Sequence, residues 1–138
     1  MMINFLKGIQ WPQPSEQFTI AVIEYPPLAT ELILATTNVK IGGKKVEVRA
    51  VNSVQDVDQY HIIFIPAYKS KLLESLVTKV GKTPQLIVTN KFDLLAKGSD
   101  INFILVDGKL RYELNTLNIE KRGMKISTSI KGMAITSR

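Results

Sequence analysis

Asp107-Gly108 constrains this chain more than any other pair of residues. It sits between two apolar runs, Ile101–Val106 and Lys109–Leu114. Asp-Gly accepts the positive backbone angles of a two-residue type I′ turn, so the two runs are predicted to close as a β-hairpin. Beyond Leu114 the sequence becomes polar and helical, breaks at Gly123 and starts a second short helix. Asn115 is expected near the first helix start, and Gly123 is expected to free the turn between the two helices.

The chain before the hairpin alternates strand and helix patterns. Met2, Phe5, Leu6 and Ile9 recur at helical spacing, predicting a helix over residues 1–11 whose natural start lies upstream. Trp11-Pro12 ends it, because a residue before proline is pushed out of the α region. A polar loop with a second proline, Pro14, leads to an apolar, β-branched strand, Phe18–Ile23. Pro26-Pro27 opens a short helix expected to bury Leu28, Leu32 and Ala35.

After a Gly42-Gly43 turn, Val46, Val48 and Ala50 alternate with Lys45, Glu47 and Arg49, the pattern of a strand wet on one side near a sheet edge. His61–Ile65 and Gln85–Thr89 read as short buried strands. Between them Leu72, Leu73, Leu76, Val77 and Val80 form an amphipathic helix closed by Gly81. The predicted fold is α/β: a single domain over residues 1–138, with a mixed, mostly parallel central sheet flanked by helices, then the C-terminal hairpin and two short helices.

Composition removes whole classes of chemistry. There is no cysteine and one histidine, which excludes disulfides, thiolate catalysis and a His-rich metal site, so neither metal nor cofactor is expected. No apolar run reaches the roughly 18 residues a membrane span needs. The net charge of +6 comes from dispersed residues, mostly lysine, which is the pattern of a solvated surface and not of a nucleic-acid interface.

The remaining motifs carry little chemistry. Asn90-Lys91-Phe92-Asp93 matches the NKxD guanine-recognition pattern, the one feature favouring a cytosolic nucleotide binder. That reading needs a glycine-rich phosphate loop after the first strand, where the chain has Glu24-Tyr25-Pro26-Pro27. His61 is expected to be a packed strand-end residue. Ser127 and Ser129, near Lys125 and Lys131, read as the polar side of a helix whose apolar face is Ile126, Ile130, Met133 and Ala134. On the hairpin, Arg111 and Glu113 share one face, Leu110, Tyr112 and Leu114 the other, and the first pair suggests an ion pair or hydrogen-bonded support. With no catalytic residues in view, the candidates for partner contact are Trp11, Arg111, Tyr112 and Arg122, aromatic and arginine side chains being favoured as interface anchors.

The motifs taken together resemble the YfiR family of small exported bacterial domains. The resemblance rests on Gly98, Ile101-Asn102-Phe103, Asp107-Gly108, Arg111-Tyr112-Glu113-Leu114-Asn115 and Arg122-Gly123-Met124-Lys125-Ile126-Ser127. Asn4-Phe5 through Trp11-Pro12, FTIAVI and HIIFI extend it across nearly the whole chain. It implies a non-enzymatic periplasmic regulatory domain that acts by protein contacts on a membrane-anchored signalling protein of the diguanylate cyclase or sensor kinase type, as YfiR-like repressors restrain the cyclase YfiN. It also leaves room for a homodimer. MMINFLKGIQWP is not a signal peptide, so a periplasmic protein would be present here with its leader removed. Without cysteine, no disulfide-based redox control can operate. A small-molecule sensor of the same fold, with its ligand at the carboxyl ends of the strands, is the alternative.

Overall fold

A computed structural model describes residues 2–12 and 15–137 of the chain. Pro14 and the helix start at Met1 lie outside the described residues, as does the side chain of Met2. The central sheet has eight strands: β2 (Gln17–Ile23), β3 (Lys40–Ile41), β4 (Lys44–Val51), β5 (Ile62–Ile65), β6 (Leu86–Thr89), β7 (Ile101–Val106), β8 (Lys109–Leu114) and β10 (Thr136–Ser137). Their spatial order is β10-β8-β7-β6-β5-β2-β4-β3. Neighbours are parallel except in the two hairpins, β3–β4 and β7–β8. The mixed, mostly parallel α/β sheet is as expected.

Continuous apolar runs suit the inner strands because both sheet faces are covered. Ile20, Val22, Ile62, Phe64, Leu86 and Val88 point to one core, with Phe5 and Leu6 of α1 (Met2–Gly8), Ala29 and Leu32 of α2 (Pro26–Thr36), Ile119 of α4 (Thr116–Lys121) and Ile130 of α5 (Thr128–Met133). Ala21, Ile23, Ile63, Ile65 and Ile87 point to the other, against Leu73, Leu76 and Val80 of α3 (Leu73–Val80). The hairpin turn forms as the sequence demands: Asp107 and Gly108 have φ of 52° and 76°. Asn115 caps α4, its Oδ1 accepting from the Asn118 N–H at 3.2 Å. Gly123, at φ 86°, makes the turn that follows.

Three local expectations differ in the structure, and one strand is added. The first helix stops at Gly8, not at residue 11, because Ile9–Gln10 leaves it as β1, which pairs antiparallel with β9 (Lys125–Ile126) in a separate two-stranded sheet. Helix α2 buries Ala29, Leu32 and Thr36 with Leu28 packed partly buried beside them, while Ala35, expected on the same face, is exposed. Thr36 is tolerated inside because its hydroxyl donates to the Leu32 carbonyl at 2.8 Å. Met133 leaves the apolar face assigned to it: α5 ends there, and its side chain is 70% exposed while Ile130 is buried. Finally, the chain after α5 adds β10 beside β8, a strand too short for a period-two pattern to show.

Candidate functional site

In the parallel part of the sheet, the carboxyl ends are the usual place for a ligand. Here that end is closed. After β2, Glu24 takes φ 44°, its carboxylate pairs with Lys69 at 2.6 Å, and its carbonyl accepts from the Tyr68 hydroxyl. Tyr25 stacks on Phe64, and Pro26-Pro27 occupy the first turn of α2, removing two backbone N–H groups that a phosphate would need. Asn90, Lys91, Phe92 and Asp93 form an exposed loop after β6 with no phosphate cradle beside it.

The signature residues of the C-terminal third are spent on architecture. Asn102 uses its whole amide: Oδ1 accepts from Thr89 Oγ1 (2.7 Å) and the Lys91 N–H (3.2 Å), and Nδ2 donates to the Lys91 carbonyl (2.9 Å) and Glu113 Oε1 (3.0 Å). Glu113 thus supports Asn102 and forms no ion pair with Arg111 among the described residues. Arg122 turns inward. Its Nη1 donates to Asp100 Oδ2 at 2.5 Å and to the Gln85 carbonyl at 3.0 Å, joining the end of α4 to the strands β6 and β7. Burial pushes the Asp100 carboxyl up to about 6, an effect that Arg122 and the Ile87 N–H only partly offset. Asp100 Oδ1 is buried with no partner among the described residues.

Tyr112 also faces in. Its hydroxyl donates to the Ile130 carbonyl at 2.6 Å, and its ring meets Phe5 edge-on at 5.2 Å, so burial raises its pKa. Trp11 packs edge-on against His61 (5.2 Å) and tilted against Phe18 (5.8 Å), a half-buried plug between the N-terminal segment and the sheet. His61 is a packed strand-end residue in this structure: its Nδ1 accepts from the Thr19 N–H at 3.1 Å. Ser127 caps α5 by accepting from the Ile130 N–H at 3.2 Å, an architectural use of its hydroxyl. Of the two residues that hold the network, Asn102 enters the sequence reading only as part of the Ile101-Asn102-Phe103 motif, with no role, and Asp100 does not enter it. The available signal was a carboxylate and an amide at the head of a buried apolar strand, where neither can stay unpaired.

Arg111, by contrast, is exposed, and it lines a groove of about 580 Å³ between α1, β8 and α5. Phe5, Gly8, Tyr112 and Ile130 belong to its walls, Leu110 and Met133 stand in it partly or largely exposed, and Lys7 joins Arg111 in its lining. Gly8 lies where α1 meets α5: a Cβ there would come 2.2 Å from Ile130 Cδ1, so any larger residue forces Ile130 to shift. Leu110 and Leu105 are cross-strand partners, and both remain exposed, extending the apolar surface from the groove to the hairpin tip. An apolar groove with cationic groups in its lining fits a macromolecular contact better than bond-making chemistry. Among the described residues, no cluster of His, Asp and Glu could hold a metal, and no helix is long and apolar enough to cross a membrane.

A family model described as YfiR/HmsC-like matches residues 1–134. Among solved structures, the chain is similar to a conserved domain protein from Vibrio cholerae O1 biovar eltor, at 12% identity and a TM-score of 0.64, covering 87% of this chain and 54% of that one. It is also similar to an ABC domain from Streptococcus pneumonia, solved in complex with L-Trp, at 12% identity and a TM-score of 0.61, covering 88% of this chain and 55% of that one. At this identity the likeness is one of fold, and the chain spans about half the length of each. No curated protein matches it.

Proposed function

We propose that this chain, which belongs to the YfiR/HmsC-like family, is a periplasmic regulatory domain that restrains a membrane-anchored signalling protein by direct contact. Family membership supports a regulatory domain of the diguanylate cyclase repressor type over a catalyst. The observation that carries the contact mechanism is the groove between α1, β8 and α5, where Leu110 and Met133 are exposed at 45% and 70% beside Arg111. Tyr112 serves this reading indirectly, its hydroxyl bond to the Ile130 carbonyl holding α5 beside β8, whereas Arg122 is not in the groove's lining.

Deleting the gene in its native host and measuring cyclic-di-GMP tests the role. Under this reading the level rises, wild-type protein restores it, and Leu110→Asp/Met133→Asp does not, although that variant is exported and folded. An unchanged level after deletion would remove the cyclase-repressor reading. Full restoration by the double variant would remove the groove from it.

A further inference from the structure

We propose that the cleft at the amino ends of β2 and β4 is an anion-binding site for a small phosphate- or carboxylate-bearing molecule. It lies at the opposite end of the parallel strands from the closed carboxyl-end crevice and is separate from the Arg111 groove, with which it shares only Lys7 and the neighbouring helix. Its volume, about 640 Å³, is in the range of small-molecule sites.

Charge carries the assignment. Lys7, Lys40 and Lys44 line the cleft, and no carboxylate does. None of the three is in an ion pair among the described residues, so no carboxylate offsets their charge at the cleft. An ordinary solvated surface intersperses the two signs, and three like charges around one concavity repel unless a counter-charge enters. The Lys44 ammonium is held over the Phe18 ring, 5.5 Å from its centroid, so it stays at the cleft and does not trail into solvent.

The floor is aromatic with two polar ring groups. Trp11 and Phe18 each meet His61 edge-on and lie tilted against one another. Burial, and after it the charge of Lys44, hold His61 below its ordinary pKa, so the ring is neutral at pH 7 and the positive field comes from the lysines. The indole N–H of Trp11 is closed off from solvent and has no acceptor among the described residues. A buried donor left unmet, here on a residue that also lines the cleft, costs stability unless an acceptor reaches it. An anion supplies the missing counter-charge, and a shift of the Trp11 ring toward it would bring the buried indole N–H to an acceptor as well.

Trp11 is the only tryptophan, so its fluorescence reports on the cleft directly. The folded protein is titrated with inorganic phosphate and, separately, with citrate, at ionic strength held constant with chloride so that screening does not imitate binding. A saturable change in Trp11 emission is expected with at least one of the two, and which one identifies the anion class. Lys40→Glu/Lys44→Glu should weaken that binding by roughly tenfold or more, as removing charge-assisted bonds does, with Lys40→Gln as a milder variant should the reversal unfold the chain. Lys97→Glu/Lys121→Glu, which carries the same change of net charge at exposed positions away from the cleft, should bind as wild type. If neither anion saturates, or if the cleft variants and the remote variant bind alike, the proposal is overturned.

Discussion

Arg122 and Asp100, twenty-two residues apart, meet as a buried ion pair at 2.5 Å, with 7% of the arginine side chain and none of the aspartate exposed. The pair ties the end of α4 to the head of β7, and through the Gln85 carbonyl to β6. Removing one partner strands the other. Arg122→Met at neutral pH is expected to cost about 3–5 kcal/mol, because an uncompensated charge remains inside. Asp100→Asn/Arg122→Met should recover a substantial part, since the amide can still accept from the Ile87 N–H. Urea unfolding of both variants checks this, and a double variant no more stable than the single one would refute it.

The same pair makes stability depend on pH. The ordinary value for Asp100 is 3.8, and in the fold it stands at about 6. The folded state therefore binds this proton more tightly than the unfolded chain does. Its contribution is fully present below pH 4 and is lost as the pH rises through about 6, amounting to roughly 3 kcal/mol at most. The stability difference between wild type and Asp100→Asn should shift against wild type between pH 4 and 7. Parallel curves across that window would refute the assignment.

Asn102 makes a sharper demand, because both ends of its amide are used. Asn102→Asp keeps the shape but turns the donor facing the Lys91 carbonyl and the Glu113 carboxylate into an acceptor. The expected loss is about 1–3 kcal/mol or more at neutral pH, easing at pH 5 as the two carboxyls share a proton. Thermal unfolding of the variant relative to wild type at the two pH values measures it. A loss independent of pH would argue against contact between residues 102 and 113.

Gly8 is favoured by packing, not by a positive φ. A Cβ at that position would press on Ile130 Cδ1 and on Ser127 Oγ, which caps α5. Gly8→Ala is expected to cost about 1–3 kcal/mol through overpacking, and Gly8→Ala/Ile130→Val should regain part of it by removing the nearest methyl. Denaturant midpoints decide the matter; no regain in the double variant would place the strain elsewhere.

Groove-surface changes should behave in the opposite manner. Leu110→Asp/Met133→Asp alters side chains that are already 45% and 70% exposed, so its unfolding free energy should fall within about 0.5 kcal/mol of wild type per site. A large loss in a calorimetric melt would mean that the two residues are structural, and their effect in the host could not be read as loss of contact.

How far local sequence reaches is visible in particular residues. Asp107-Gly108 dictates the hairpin because its turn type depends on two residues alone, and Asn115 and Gly123 act within a single turn of chain. The apolar runs around Ile20, Ile63 and Ile87 reveal buried parallel strands, since period and branching are local properties. On α2, Leu28 and Leu32 pack on the core as their spacing implies, but Thr36 takes the buried place that Ala35 leaves, because an internal hydroxyl bond decides it. Trp11, Arg111, Tyr112 and Arg122 were alike as candidates in sequence. Tertiary structure separated them, sending Arg122 and Tyr112 inward to fixed partners and leaving Arg111 on a groove and Trp11 at the floor of a cleft.

The sequence by itself determined the main strands and helices, their order and the family signature, which follow from short-range periodicity and turn chemistry, whereas the two-residue strands β1, β9 and β10 are defined only by their partners. Only the folded chain decided that Asp100 would find Arg122, that Asn102 would find Glu113, and that three separated lysines would surround one cleft. Such pairings depend on desolvation and on strand register, which come into being only when distant segments are brought together.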